Sequence, residues 1–353
     1  MSGFVFEDHI YFNDEYKAEL KGYPLSGEGE IRSLAKGQFI AEHGRRQQFL
    51  DGASLFIITP TDKIQRMDLQ SGQLTTLLEN IPKMGPRMSY HEGKVYFEQS
   101  YYENELAGSI LMSIDVQTLQ IDTIINKQLE SGWQGGFAPP TIIVRGDKTM
   151  LAFQLREAGP LATGRQSYYM YNEDADSLVW SNEAIDDAQG GIGEPAFDDE
   201  RVYWMGNTSV FALNLETGKL EWRHDNPDQK GHWHGFAFMH EDKLVVKSDG
   251  MIITALHPAT GNVIWMNEES GSTPADTYEV FDGAVCFYSS GKGYFSAVDL
   301  QTGKSLIYER SPVKNYDNDP TMGTSIIIDD ATRRMYYANF SHVVCLKIAP
   351  FDR

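Results

Sequence analysis

An all-β chain folded as a ring of eight four-stranded blades is what this sequence predicts, and three observations carry the prediction. The first is a repeat. Ala212-Leu213-Asn214-Leu215-Glu216-Thr217-Gly218-Lys219-Leu220-Glu221-Trp222 returns 43 residues later as Ala255-Leu256-His257-Pro258-Ala259-Thr260-Gly261-Asn262-Val263-Ile264-Trp265, and Ala297-Val298-Asp299-Leu300-Gln301-Thr302-Gly303-Lys304 follows at about the same interval. The second is the makeup of that period: short apolar runs and Gly- or Asp-bearing turns, with no helical periodicity, which is what propeller blades leave in a sequence. The third is the number of turns.

Strands within a blade are lettered A to D from the centre outward. The A–B turn is acidic or Gly-bearing and sits between two apolar runs. Eight copies occur, at Glu7-Asp8, Asp51-Gly52, Glu92-Gly93, Gly146-Asp147, Asp198-Asp199, Glu241-Asp242, Asp282-Gly283 and Asp329-Asp330. The C–D turn centres on Gly, where a positive φ joins two strands tightly: Gly37, Gly72, Gly218, Gly261 and Gly303, with degenerate copies at Leu119 and Asp176. The eighth unit, Ile326 to Ile348, contains Met335-Tyr336-Tyr337 and Val343-Val344-Cys345-Leu346-Lys347 but no D strand. A three-stranded last blade is therefore expected, with an open outer edge over an intact core. Long stretches rich in Tyr and Glu, Asn13 to Gly29 and Gln99 to Gly108, and a third from Arg156 to Gln166, read as B–C loops on the face opposite the D–A connections.

The repeat covers the 353 residues almost end to end, so a single domain over residues 1–353 is expected. No stretch approaches the roughly 18 apolar residues of a membrane helix. Met1-Ser2-Gly3 leads straight into a strand with no secretory signal in view, which points to the cytoplasm; a processed periplasmic chain would look the same. The two cysteines, Cys286 and Cys345, lie in apolar strand runs and read as buried small hydrophobes. A net charge of −20 argues against nucleic acid and anionic membrane as partners and favours solubility, a monomer, and rapid encounter with a basic protein.

The pattern Ala-x-Asn/Asp-Leu-x-Thr-Gly-Lys followed by Trp, as in Ala212 to Trp222, resembles the repeat of pyrroloquinoline-quinone-type propellers. That family includes eight-bladed quinoprotein dehydrogenases and non-enzymatic relatives such as the propeller lipoprotein of outer-membrane protein assembly. The resemblance implies that the repeat Trp docks between neighbouring blades against the Ala and the turn Gly, a role that falls on Trp222, Trp265 and Trp180, with Tyr308 nearby in the seventh unit. It does not carry over the dehydrogenase activity, which needs a disulfide between adjacent cysteines and a calcium site; here the cysteines are far apart and no calcium motif is seen. The lipid-bearing Cys of the assembly lipoprotein is also missing. No cofactor, metal site or catalytic residue is assigned, and the non-enzymatic members are the expected kin.

Function on a repeat fold concentrates in loops, so the D–A connections are the candidate site. Arg45, Arg46 and Arg87 can meet carboxylates, and Trp133, Trp233 and Tyr316 offer flat contact surface. His232 and His234 alternate on an extended segment, with His224, Asp317 or Asp319 as further polar groups, yet two histidines alone do not make a metal site. These residues are read as partner-binding: a recognition propeller holding a protein at the channel mouth, in its sharper form an acidic inhibitor or immunity-type protein capping a basic one. The alternative is a hydrolase or lyase acting on a carbohydrate or small molecule at the central channel, with Asp317 and Asp319 as a carboxylate pair, in which case replacing Asp317 and His234 by Ala should abolish turnover.

Overall fold

A computed structural model of the chain describes residues 3–14, 18–36, 48–59, 63–79, 84–103, 106–160, 163–186, 194–206, 208–225, 235–248, 252–271, 278–289, 294–310, 326–338 and 343–351. The regular elements are strands in eight antiparallel sheets, arranged as a β-propeller. Six sheets have four strands, the fourth has five and the eighth has three. The chain packs as two compact units. One comprises Val5–Gln189 with the turn Glu216–Gly218; the other comprises Met1–Phe4, Gly190–Leu215 and Lys219–Arg353.

Turn chemistry explains why the strands stop where they do. At the A–B turns the positive φ falls on Glu7, Gly52, Glu92, Gly93, Gly146, Glu241, Asp282, Gly283 and Arg333. At the C–D turns an Asp at the end of strand C folds its side chain back onto the turn. Asp299 Oδ1 accepts from Gln301 N at 3.0 Å and Thr302 N at 2.8 Å, and Gly303 N donates to Asp299 O at 2.8 Å; Asp68 and Asp115 do the same. These backbone donors hold the Asp68 and Asp115 carboxyls below the usual carboxylate range. The left-handed residue is Gly72, Gly218, Gly261 or Gly303 in four sheets, but Leu119 (φ 59°) in the third and Asp176 (φ 47°) in the fourth. A side chain in that region costs roughly 1–2 kcal/mol, and Leu119 is also exposed. Leu119→Gly is therefore expected to stabilise the chain by about 0.5–1 kcal/mol once the entropy of the added glycine is subtracted, measured by urea denaturation.

In the second unit, sheets are wedged by the repeat tryptophans. Trp222 sits over Gly261 and donates Nε1–H to Pro258 O at 2.7 Å; Trp265 sits over Gly303 and donates to Leu300 O at 3.1 Å. A Cβ on Gly261 or Gly303 would lie 2.5 Å from the indole, so glycine is needed there for room as well as for φ. In the first unit Trp180 lies over Gly218 in the same way. Tyr308 does something different, stacking on Tyr294 at 4.6 Å and lying against Gly271. The apolar cores lie between sheets: Phe56, Ile64, Val95 and Phe97 between the second and third, and Phe236, Val245, Phe287 and Leu300 between the sixth and seventh.

Tyrosines tie strands to acidic turns. Tyr90 donates to Asp51 at 2.5 Å, Tyr96 to Glu173 at 2.6 Å, Tyr171 to Asp176 and Tyr203 to Asp198. Burial, then the carboxylate, pushes the Tyr90 phenol up to about 12 from 10.0, and the other three move in the same direction. A raised pKa favours the neutral phenol in the folded chain, so this contribution is complete below pH 10 and is lost as pH rises through the folded value. Stability is expected to hold to about pH 10 and then fall, with tyrosinate absorbance rising together with unfolding; phenols titrating near 10 in the folded chain would contradict this.

Four sequence expectations need correction. In the first sheet strand C is Glu19–Pro24 and strand D is Arg32–Leu34, so the C–D connection is residues 25–31 rather than a turn at Gly37, which lies outside the described residues. Secondly, the stretches read as B–C loops are mostly strand: Gln99–Glu103 pairs with Leu106–Ile110, and Arg156–Ala158 with Gly164–Gln166. Thirdly, B–C tips and D–A connections share one end of a sheet, because four antiparallel strands bring the chain back to that end twice; Gln134, just past the third sheet's D strand, pairs with Ala158 at the B–C tip of the fourth. Lastly, Cys345 is exposed, since nothing among the described residues covers the outer edge of its strand; Cys286 is buried as expected.

Candidate functional site

The third and fourth sheets depart from the repeat. Their B and C strands are Lys94–Glu103, Leu106–Asp115, Lys148–Ala158 and Gly164–Asn172, with 10, 10, 11 and 9 residues. Elsewhere these strands have four to six residues. Four extra residues lengthen a strand by about 13 Å, so both sheets carry an added tier at the end shared by B–C tips and D–A connections. Inner strands follow the extension. Strand A of the third sheet, Met84–His91, bulges so that Gln99 faces Met84 while Phe97 faces Met88. Strand A of the fourth is split into Gln134–Phe137 and Thr141–Arg145, both paired with the same B strand. Pro139 and Pro140 make the break, and Ser89 Oγ donates to Pro140 O at 2.6 Å across the sheets.

Below the tier the space between these sheets is filled by Tyr96, Leu111, Phe153 and Tyr169. Within it Ala107, Leu129, Phe137 and Leu155 continue that cluster, and a polar network joins them. Glu98, 5% exposed, accepts from Ser109 Oγ at 2.9 Å and from Ser100 Oγ, and Ser109 in turn accepts from Phe137 N at 3.0 Å. Gly136 passes directly over the carboxylate, where a Cβ would lie 3.0 Å from Glu98 Oε1; at Gly135 a Cβ would lie 2.2 Å from the Arg156 carbonyl. A buried carboxylate is tolerated only when donors surround it, and the two serines supply them.

Beside this network stands Trp133. Its indole is half-buried against the apolar cluster, with the Arg165 guanidinium 4.4 Å from the ring centroid and the Gly159 backbone close against its edge. Arg165 binds Glu157 with Nε at 2.8 Å and Nη2 at 2.7 Å, and Glu130 with Nη1 at 2.7 Å. Glu157 is 3% exposed and Glu130 is exposed. Its hydrogen bonds to both carboxylates keep Arg165 firmly charged. Towards the tip, Tyr101 lies over Gly108 and Tyr102, 53% exposed, projects from the hairpin. Lys127 closes one flank through an ion pair with Glu183 at 3.1 Å.

Of the residues read as partner-binding from the sequence, Trp133 is the one whose side chain the structure describes; it belongs to this tier. Arg87 lies in the bulge of the third sheet's strand A. Arg45, Arg46, His232, Trp233, His234, Tyr316, Asp317 and Asp319 lie outside the described residues. His224 is half-buried on strand D of the fifth sheet, and burial holds its imidazole below the ordinary range. Among the described residues no group of three or more His, Cys, Asp or Glu is set to hold a metal ion. Sequence reading missed Glu98, Ser109, Glu157 and Arg165. The available signal was symmetry: residues 94–103 and 106–115 are equal runs, with Tyr101 set opposite Gly108.

Residues 139–347 match the family model described as outer membrane protein assembly factor BamB. The chain belongs to this family. Its repeats are therefore those of a PQQ-type propeller, in keeping with the Trp-over-Gly wedges. Among solved structures, BamB from Moraxella catarrhalis is similar over 98% of this chain and 92% of its own, at 13% identity and a TM-score of 0.56. A europium-containing methanol dehydrogenase is similar over 95% and 81%, at 11% identity and a TM-score of 0.65. The computationally designed protein Ika8 is similar over 98% and 95%, at 12% identity and a TM-score of 0.61. An assembly factor, an enzyme and a design share this architecture, so at these identities the likeness speaks for the fold alone. No curated protein matches the chain.

Proposed function

We propose that this BamB-family propeller is a non-enzymatic scaffold that binds a basic protein, docking it on the added tier of the third and fourth sheets and on the D–A connections. The observation that carries this reading is the tier itself. In two sheets of eight, the apolar filling between sheets is joined by buried Glu98 and Glu157 with their hydroxyl and guanidinium partners. Such networks are poor sources of stability, and a recognition surface gives a reason for building one. Tyr102 stands exposed at the tip, and tyrosine is enriched among residues that dominate binding energy. The family description, an assembly factor, supports recognition over catalysis. The net charge of −20 supports a basic partner, with an acidic inhibitor of the immunity type as the sharper form.

The test is quantitative affinity capture from source cells with the full chain, at low and high salt, comparing wild type with Tyr102→Ala and Glu103→Lys. One basic protein is expected to be retained at low salt, to be lost as salt rises, and to fall by about tenfold with either variant. Retention unaffected by both variants and by salt would overturn the reading.

A further inference from the structure

The eighth sheet consists of strands Ile326–Asp329, Arg334–Ala338 and Val343–Lys347, and among the described residues nothing pairs with the outer edge of the last. Register makes that strand the counterpart of strand C in the complete sheets. Cys345 faces Tyr336 as Ala212 faces Tyr203 and Ala297 faces Cys286. Ile348 N donates to Arg333 O as Leu215 N does to Glu200 O and Leu300 N to Gly283 O. In the complete sheets strand D covers the small residue: Trp222 opposite Ala212, Trp265 opposite Ala255 and Ile307 opposite Ala297, each alanine fully buried. Cys345 is just as small, and it is exposed.

The fifth sheet also shows what lies beside the aromatic. Glu221, one residue before Trp222, binds Arg201 Nε at 2.6 Å and accepts from Asn214 Nδ2 at 2.9 Å. Arg201 and Asn214 face each other across strands B and C; in the eighth sheet the facing pair is Arg334 and Lys347. Lys347 is exposed and has no ion-pair partner among the described residues.

Among the described residues, those that follow the strand, 348–351, do not turn back to fill the edge. The position held by Gly218, Gly261 or Gly303 in the other sheets is Phe351, whose φ is not positive. Its ring packs edge-on against Phe281 of the seventh sheet at 6.0 Å, while Arg333 Nη2 donates to Ala349 O at 3.2 Å. The backbone is thereby led onto the neighbouring sheet.

We infer that this open edge takes its fourth strand from another protein, as an extended segment carrying a carboxylate residue followed by a large aromatic or branched side chain, the order seen in Leu220-Glu221-Trp222. Backbone hydrogen bonds to Val343–Lys347 supply affinity, and the exposed place over Cys345 with the cation of Lys347 supplies the choice of side chains. None of these residues belongs to the tier of the third and fourth sheets, so the two readings stand or fall separately.

The experiment uses the full chain and a fluorescent peptide with the sequence of residues 218–225, Gly-Lys-Leu-Glu-Trp-Arg-His-Asp. Anisotropy reports binding, and a chromogenic disulfide reports thiol reactivity; burial pushes the Cys286 thiol up to about 12, leaving Cys345 as the reactive one. Saturable binding is expected to slow the Cys345 reaction at least about tenfold. Peptides with Glu→Lys or Trp→Ala should bind about tenfold weaker. In Lys347→Glu the preference between the Glu and Lys peptides should reverse, which a merely misfolded variant would not show. Failure to saturate, binding that leaves Cys345 equally reactive, or a Cys345 already inert in the free chain because its own residues cover the edge, would each overturn the inference.

Discussion

Trp265→Ala is expected to lower the unfolding free energy by about 3–5 kcal/mol, the range for removing a large buried aromatic. The indole is 8% exposed, fills the gap between the sixth and seventh sheets, and anchors itself by its N–H on the Leu300 carbonyl. Trp265→Phe separates these parts: it keeps most of the ring, loses the hydrogen bond, and should cost about 1–2 kcal/mol. Adding a methyl from the other side, Gly303→Ala, should approach the full loss, because it imposes a side chain at φ 73° and drives a Cβ to 2.5 Å from the ring. The two changes meet at one contact, so the double variant should be less damaging than the sum of the singles. Urea denaturation of the wild type and the four variants measures all of this, and strict additivity would show that the wedge is not the coupled unit the geometry indicates.

Arg165→Ala is expected to have the second large effect, about 3–5 kcal/mol, because it strands the buried Glu157 carboxylate without its two charged donors. The damage should be local. Amide exchange should accelerate over residues 155–167 and at Trp133, which loses the guanidinium over its face, while exchange in sheets five to eight stays unchanged. Replacing both partners, Glu157→Gln with Arg165→Met, should recover much of the loss, since the penalty comes from an uncompensated charge rather than from the absence of a pair. A double variant as unstable as the single would show that the guanidinium acts through its packing on Trp133 instead.

The architecture was legible because its determinants are local. Each A–B turn needs Gly or an acid between apolar runs, and the Asp-x-x-Thr-Gly turns use an Asp side chain that caps its own hairpin. Strand C of the first sheet was not legible. Glu19-Leu20-Lys21-Gly22-Tyr23-Pro24 looks like loop, but Glu19 is buried by Lys21 and Ser33, and Gly22 leaves room for the ring of Tyr11. The tier was hidden for the same reason: its inward residues include Glu98, Ser109 and Glu157, which follow the period of a strand without its usual hydrophobicity. The placement of the B–C tips should have been reached by reasoning, since strand parity alone decides it. For the site, Trp133 was found through the D–A rule, while Arg165 and Glu157 come from a different part of the chain and could be joined to it only in three dimensions.

The parity of the blade strands also divides labour between the two ends of a sheet. At one end, short acidic hairpins and glycines meet indoles at fixed spacing, and a single inserted residue would throw neighbouring layers out of step. At the other, paired ribbons can grow by whole rungs, as they have twice here, without disturbing that spacing. Length variation between kindred chains should accumulate on the second rim, leaving the first nearly constant, so that novelty is added there without renegotiating the frame beneath it.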